Sequence, residues 1–177
     1  MPRSAHSQIF TPPYLAPMLS NDIGVYVGDS PIEPGDLTIE GIWRSGPLGL
    51  RVGFAEGPED AILLGGDFRS PIALVGAPIS LAFTAGVQAA IADADALGLQ
   101  LGVTAGHTFL SPGFTITPYI HPRLAFINGF GGDDDLESDV LADIGFDLGF
   151  APNFILRFGA NLGDGADWGV GFAWRAR

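Results

Sequence analysis

Three histidines, His6, His107 and His121, are the imidazoles of a chain that has no cysteine. Thiolate nucleophiles, thiolate metal sites and disulfides are therefore excluded. Ser80, His121 and Asp143 supply the residue types of a hydroxyl–imidazole–carboxylate triad, but their spacing matches no nucleophile motif. GxSxG, HExxH and a phosphate-cradling glycine loop are all missing. No catalytic residue is nominated, and the expectation is a protein that is not an enzyme. The densest acidic run, Gly131-Gly132-Asp133-Asp134-Asp135-Leu136-Glu137-Ser138-Asp139, has the carboxylates that hard cations prefer. It lacks EF-hand spacing, so it reads as a solvated loop, with no metal site and no cofactor expected.

The other chemistry-bearing set is larger. Glu40, Arg44, Arg51, Asp67, Arg69, His121, Arg123, Asp143, Asp147 and Arg157 all alternate with large apolar residues in short segments. Alternation puts them on one face of extended strands. Glycines such as Gly49, Gly53, Gly86, Gly102, Gly149 and Gly159 share that face, as do Gln100, Thr104 and Tyr119. The opposite parity carries Trp43, Leu50, Val52, Phe68, Leu101, Phe146, Phe172 and their like, with no charge among them.

The strands that hold these residues are read as 22–29, 36–45, 47–56, 60–70, 78–92, 96–110, 113–127, 138–150, 153–163 and 167–175. Turn chemistry separates them at Ser45-Gly46-Pro47, Ser111-Pro112-Gly113 and Ala151-Pro152-Asn153. Most reach the roughly 9–11 residues that a tilted strand needs to cross a bilayer. No helical period lies between them, so the sheet is expected to be antiparallel. A helix over 70–92 is ruled out by Pro71, Gly76, Pro78 and Gly86.

Composition sharpens the choice of solvent. The net charge of −12 argues against a nucleic-acid partner, while mean hydropathy is positive at +0.31. All eight basic residues are arginine, and eleven of the 26 glycines crowd the less bulky face. A soluble barrel would show water a surface of Gly, Ala and Thr without one lysine, a poor defence against aggregation. Turning the apolar face to acyl chains and the small, charged face to a narrow lumen removes that difficulty. Trp43, Phe68, Phe109, Phe114, Phe150, Phe154 and Trp174 then form a girdle at one interface. Phe54, Phe126 and Trp168 mark the other. Acids collect in alternate turns, among them Asp29, Glu33, Glu56, Glu59, Asp60, Asp93, Asp95 and Asp164, which makes that rim acidic and extracellular in this reading. Arg44, Arg69, Arg175 and Arg177 gather at the opposite, periplasmic rim.

The last strand resembles the C-terminal assembly signal of small bacterial outer-membrane β-barrels: Asp167, Gly169, Phe172 and Trp174 stand at its spacing. The chain runs on through Arg175-Ala176-Arg177, whereas such chains usually end on the final aromatic. The resemblance implies residence in the outer membrane of a diderm (Gram-negative) bacterium, reading by the barrel-assembly machinery, and lipopolysaccharide as neighbour, bridged to the acidic loops by divalent cations. In outer-membrane barrels that acylate lipids or pass hydrophobes, prolines resembling Pro118 and Pro122 open a lateral seam. Two prolines of one parity remove two ladder donors along one seam.

The expectation is therefore a single closed antiparallel up-and-down transmembrane β-barrel, all-β, of ten strands, or of eight if 22–29 does not pair. The barrel domain spans 22–177, and 1–21 is a non-helical, proline-containing lead that sits at the inner mouth or enters the lumen. Ala5-His6-Ser7 resembles the end of a leader, and both termini are placed on the periplasmic side. The function expected first is structural or narrow-pore (porin-like), with a largely plugged, charged lumen. A carrier or modifier of lipophilic molecules using the Pro118/Pro122 seam comes second, and a soluble calycin-like ligand-binding barrel third.

Overall fold

The computed structural model describes residues 10–32, 35–92, 95–129, 136–162 and 167–175. Eleven strands form in chain order: β1 (Ser20–Asp29), β2 (Leu37–Gly46), β3 (Leu48–Ala55), β4 (Ala61–Ile72), β5 (Ser80–Ile91), β6 (Ala96–Gly106), β7 (Phe109–Ser111), β8 (Phe114–Gly129), β9 (Glu137–Ala151), β10 (Phe154–Asn161) and β11 (Trp168–Arg175). Ten of them close a ring of antiparallel neighbours. β1 pairs with both β2 and β11, and β6 pairs with β8. The three-residue β7 continues β6 beyond a break at His107-Thr108 and pairs with the start of β8. The eight-strand alternative therefore falls, because β1 is fully paired on both edges.

Alternation decides the faces, since each strand is bulky on one side and small or charged on the other. Leu50, Val52, Ile62, Leu101, Ile120, Phe172 and all three tryptophans lie on the outer surface, each at least two-fifths exposed. Arg44, Arg69, Arg157, His121 and Asp143 point inward and are no more than 1% exposed. That is the inverse of a soluble barrel, so the calycin-like alternative is corrected: a water-facing surface of this kind would expose a continuous apolar belt. The small residues Gly66 and Ala85 open a groove of about 600 Å³ in this belt, between Leu50, Phe68, Val87 and Leu101.

The two rims differ. At one, here the turn rim, β2–β3 and β7–β8 turn on Gly46 (φ 56°) and Gly113 (φ 91°), left-handed conformations that favour glycine. Asn21 Oδ1 accepts a hydrogen bond from the Gly46 amide (2.7 Å) and ties β1 to the first of these turns. Around this rim Phe154 stacks near Phe150 (6.1 Å) and meets the edge of Trp174 (4.4 Å), part of the expected girdle. The opposite, loop rim carries the longer connections. Residues 131–135 of the acidic run 131–139, together with Glu33, Asp93 and Asp164, lie outside the described residues.

The lead takes one of its two expected courses, into the lumen. Residues 10–17 have neither helix nor strand and are wholly buried. Ser20 and Arg175 share the turn rim, yet Phe10 sits at the loop rim among Ala55, Ala61, Leu63, Ala90, Ala125 and Leu141. Phe10–Met18 therefore threads the lumen from end to end. An extended chain rising about 3 Å per residue covers a bilayer's hydrocarbon depth in about nine residues.

Candidate functional site in the lumen

Strand parity delivers every predicted ionic residue to the lumen wall, and register decides which of them meet. β9 and β10 place Asp147 opposite Arg157. Arg157 Nε donates to Asp147 Oδ2 (3.1 Å), while its two terminal nitrogens grip both oxygens of Asp22 (2.8 Å each). Arg157 Nη1 also donates to the Tyr26 hydroxyl (2.8 Å). A guanidinium supplies this fork of donors where a lysine could not.

A second network begins at β8, where His121 and Arg123 flank Pro122 on the inner parity. Arg123 takes both oxygens of Asp143 (2.8 and 3.1 Å) and donates to Gln100 Oε1 (2.8 Å). His121 Nδ1 lies 2.9 Å from Asp143 Oδ2, and Nε2 lies 2.7 Å from Thr84 Oγ1. The carboxylate accepts only, so it fixes Nδ1 as a donor; in a neutral ring Nε2 then accepts from Thr84. The hydroxyl in this chain is Thr84, not Ser80, which starts β5 at the turn rim.

The third group surrounds the lead. Arg51 approaches Glu40 (3.7 Å) and Asp67 (3.9 Å) and donates to Thr11 Oγ1 (2.9 Å) and the Pro13 carbonyl (3.2 Å). Thr11 Oγ1 donates in turn to Glu40 (3.0 Å). Arg44 donates to the Pro13 carbonyl (3.0 Å), and Arg69 donates to the carbonyls of Ala16 (2.7 Å) and Met18 (3.0 Å). A proline-rich extended chain makes no internal hydrogen bonds, so these arginines satisfy carbonyls that would otherwise be buried and bare. Among the described residues neither Arg44 nor Arg69 is paired with a carboxylate. Arg44 Nε and Nη1 and Arg69 Nε and Nη2 have no hydrogen-bond partner.

Glycines shape the wall to the lead. A Cβ on Gly159 would come within 3.1–3.3 Å of Pro12 and Tyr14, and one on Gly169 would collide with the Tyr14 hydroxyl. The Tyr14 ring packs on Tyr26, centroids 4.4 Å apart. Beside it remains a cavity of about 10 Å³ bordered by Thr11, Tyr26 and Glu40, room for about one water. At the loop rim the Arg123 guanidinium lies 5.1 Å over the Phe10 ring.

Pro118 and Pro122 face outward, and the seam they border is β6–β8. The ladder lapses at Val103 and Thr104, opposite Pro122 and His121, and resumes at Ala105↔Ile120 in unchanged register. It lapses again opposite Pro118, where the His107 amide still donates to the Pro118 carbonyl (3.3 Å). The strands nevertheless stay close: a Cβ on Gly102 or Gly106 would come within 2.6–2.7 Å of the Pro122 or Pro118 carbonyl. The seam is short of hydrogen bonds but shut.

Of the rim arginines, Arg44 and Arg69 turn inward, Arg175 is exposed, and Arg177 lies outside the described residues. In the assembly-signal set, Gly169 lines the lumen while Phe172 and Trp174 face outward. Asp167 is buried at the loop rim, where desolvation and the Asp29 carboxylate push its carboxyl up to about 7 against the pull of Arg123. Asp22, Tyr26, Thr84 and Gln100 on the wall, and Thr11 on the lead, are network members absent from the predicted set.

No known family and no curated protein matches this sequence. Among solved structures, the chain is similar to the N-terminal β-barrel domain of OprF from Pseudomonas aeruginosa. Identity is 18%, covering 90% of this chain and all of that one, with a TM-score of 0.38. A likeness that loose carries no functional argument, which rests on the geometry.

Proposed function

We propose that this protein is a transmembrane β-barrel of the bacterial outer membrane, read by the barrel-assembly machinery through its last strand. Its resting lumen is closed by its own lead. The observation that carries this reading is the inversion of faces: Ile23, Trp43, Leu50, Ile62, Phe83, Leu101, Ile120, Ile144 and Phe172 point outward around the ring, while five arginines and the lumen carboxylates point inward. Hydrocarbon outside favours that arrangement as strongly as water outside opposes it. The role that follows is structural at rest, with a narrow-pore capacity in the charged lumen. The Thr84–His121–Asp143 chain is read as a brace across the wall and not as an enzyme's relay, because Arg123 already occupies both Asp143 oxygens. Expression in a diderm host tests the reading. The protein should fractionate with the outer membrane and run faster unboiled than boiled in detergent gels; recovery in the soluble fraction without detergent would overturn it.

The interrupted β6–β8 ladder favours one second reading, passage of a lipophilic molecule between lumen and bilayer beside His121. A spin label at Val103 would show broadened, bimodal distances to β8 if the seam opens, and a single narrow distance if it does not.

A further inference from the structure

We propose that Phe10–Met18 is a displaceable stopper that occupies the places of small anions on Arg44 and Arg69, and that its withdrawal opens an anion-preferring path through the lumen. This rests on the barrel reading above and deepens its pore.

The bonds that hold the stopper suit a reversible occupant. It forms no ladder with the wall. Its tethers are hydrogen bonds from Arg44, Arg51 and Arg69 to neutral oxygens and one from the Thr11 hydroxyl to Glu40. An anion brings a full opposite charge to the guanidinium where a carbonyl brings only a dipole, so it competes for the same donors. Among the described residues Arg44 and Arg69 are the two lumen arginines without a carboxylate partner, and each keeps two nitrogens without a hydrogen-bond partner while 1% exposed. Register brings them near each other: Arg44 pairs with Gly49, Gly49 pairs with Asp67, and Arg69 lies two residues further along the same face. Asp67 between them leans instead toward Arg51 at 3.9 Å.

The stopper is also under local strain. Tyr14 has φ 49°, the left-handed region that tyrosine avoids, and it is kept there by Tyr26 and by the gap at Gly169. Withdrawal would relax it. What remains behind is a wall of Gly106, Gly159 and Gly169, small enough to leave a bore. At the loop rim the seal is Phe10 in its ring of alanines and leucines, with the Arg123 guanidinium over its face.

Gly159 offers a clean lever, because the nearest atoms to an added Cβ all belong to the stopper. The full-length chain and its Gly159→Leu variant would be compared in planar bilayers under a KCl gradient. Tyr14→Ala would attack the same fit from the stopper's side, leaving the wall untouched. Each preparation is first checked for the heat-dependent gel shift. The expected result is a near-silent parent, a conductance at least tenfold higher in both variants, and a reversal potential of the sign for chloride. Adding Arg44→Gln and Arg69→Gln to the Gly159→Leu chain should abolish the chloride preference while conductance persists. Folded but silent variants would overturn the stopper, as would a parent that conducts like them. A cation preference in the open variants would overturn the anion assignment. A parent with no heat-dependent shift would instead bring down the barrel reading itself.

Discussion

The two ends of one lumen are closed by opposite chemistry. At the loop rim, Phe10 fills a ring of Ala55, Ala61, Leu63, Ala90, Ala125 and Leu141. At the turn rim, Arg157 ties Asp22, Tyr26 and Asp147 together, and Arg44 and Arg69 hold the lead by its carbonyls. Both ends are built from the same strand parity, so the difference lies in depth and not in which face is turned inward. The apolar end gains by packing and loses in proportion to what is removed. The charged end is stable only while every partner is present, because a lone buried charge costs far more than the pair gives back.

Removing one partner from the charged end should therefore have the largest effect. Arg157→Ala strands Asp22 inside the wall and is expected to cost about 3–5 kcal/mol, read as a lower urea midpoint for the protein folded in detergent. Arg157→Lys should recover little of it, since an ammonium cannot span both carboxylates. At the apolar end, Leu63→Ala should cost about 2–3 kcal/mol, because the ring can partly collapse onto Phe10. If Leu63→Ala proves the more damaging, the contrast between the ends breaks.

A charge at the dry end sharpens the same contrast. Asp167 has its carboxyl pushed up to about 7 beside Asp29, so the folded chain retains a proton that the unfolded chain sheds near pH 4. Stability should then fall as pH rises from about 4 to about 7 and level off above that. Asp167→Asn should remove that slope, raising the urea midpoint at pH 8 and leaving it unchanged at pH 4. The smallest effect is expected at Thr84→Val, about 1 kcal/mol for one hydrogen bond to His121. A larger loss would show that His121 needs Thr84 more than Asp143.

Most of this wall was legible residue by residue. Arg51 between Leu50 and Val52, or Asp143 beside Ile144, can only face opposite ways on a strand. What parity does not give is level along the axis, which depends on register summed around the ring. Ser80 and Thr84 have the same parity, but only Thr84 is level with His121, and no local pattern says so. Asp22 and Tyr26 did alternate visibly with Ile23, Val25 and Val27, so their inward direction could have been found. The course of the lead could not. Phe10–Met18 has no period, and its track is cut by Gly106, Gly159 and Gly169 on three different strands, which look like ordinary small lumen residues until the ring is closed.

All three tryptophans, Trp43, Trp168 and Trp174, stand on the outer face, each nearly half exposed. That makes the intrinsic fluorescence of the reconstituted protein the most direct measurement of which way the apolar face points. Brominated acyl chains should quench most of that emission, while aqueous acrylamide should quench little. Strong acrylamide quenching with bromolipid having no effect would place the indoles in water and contradict the account.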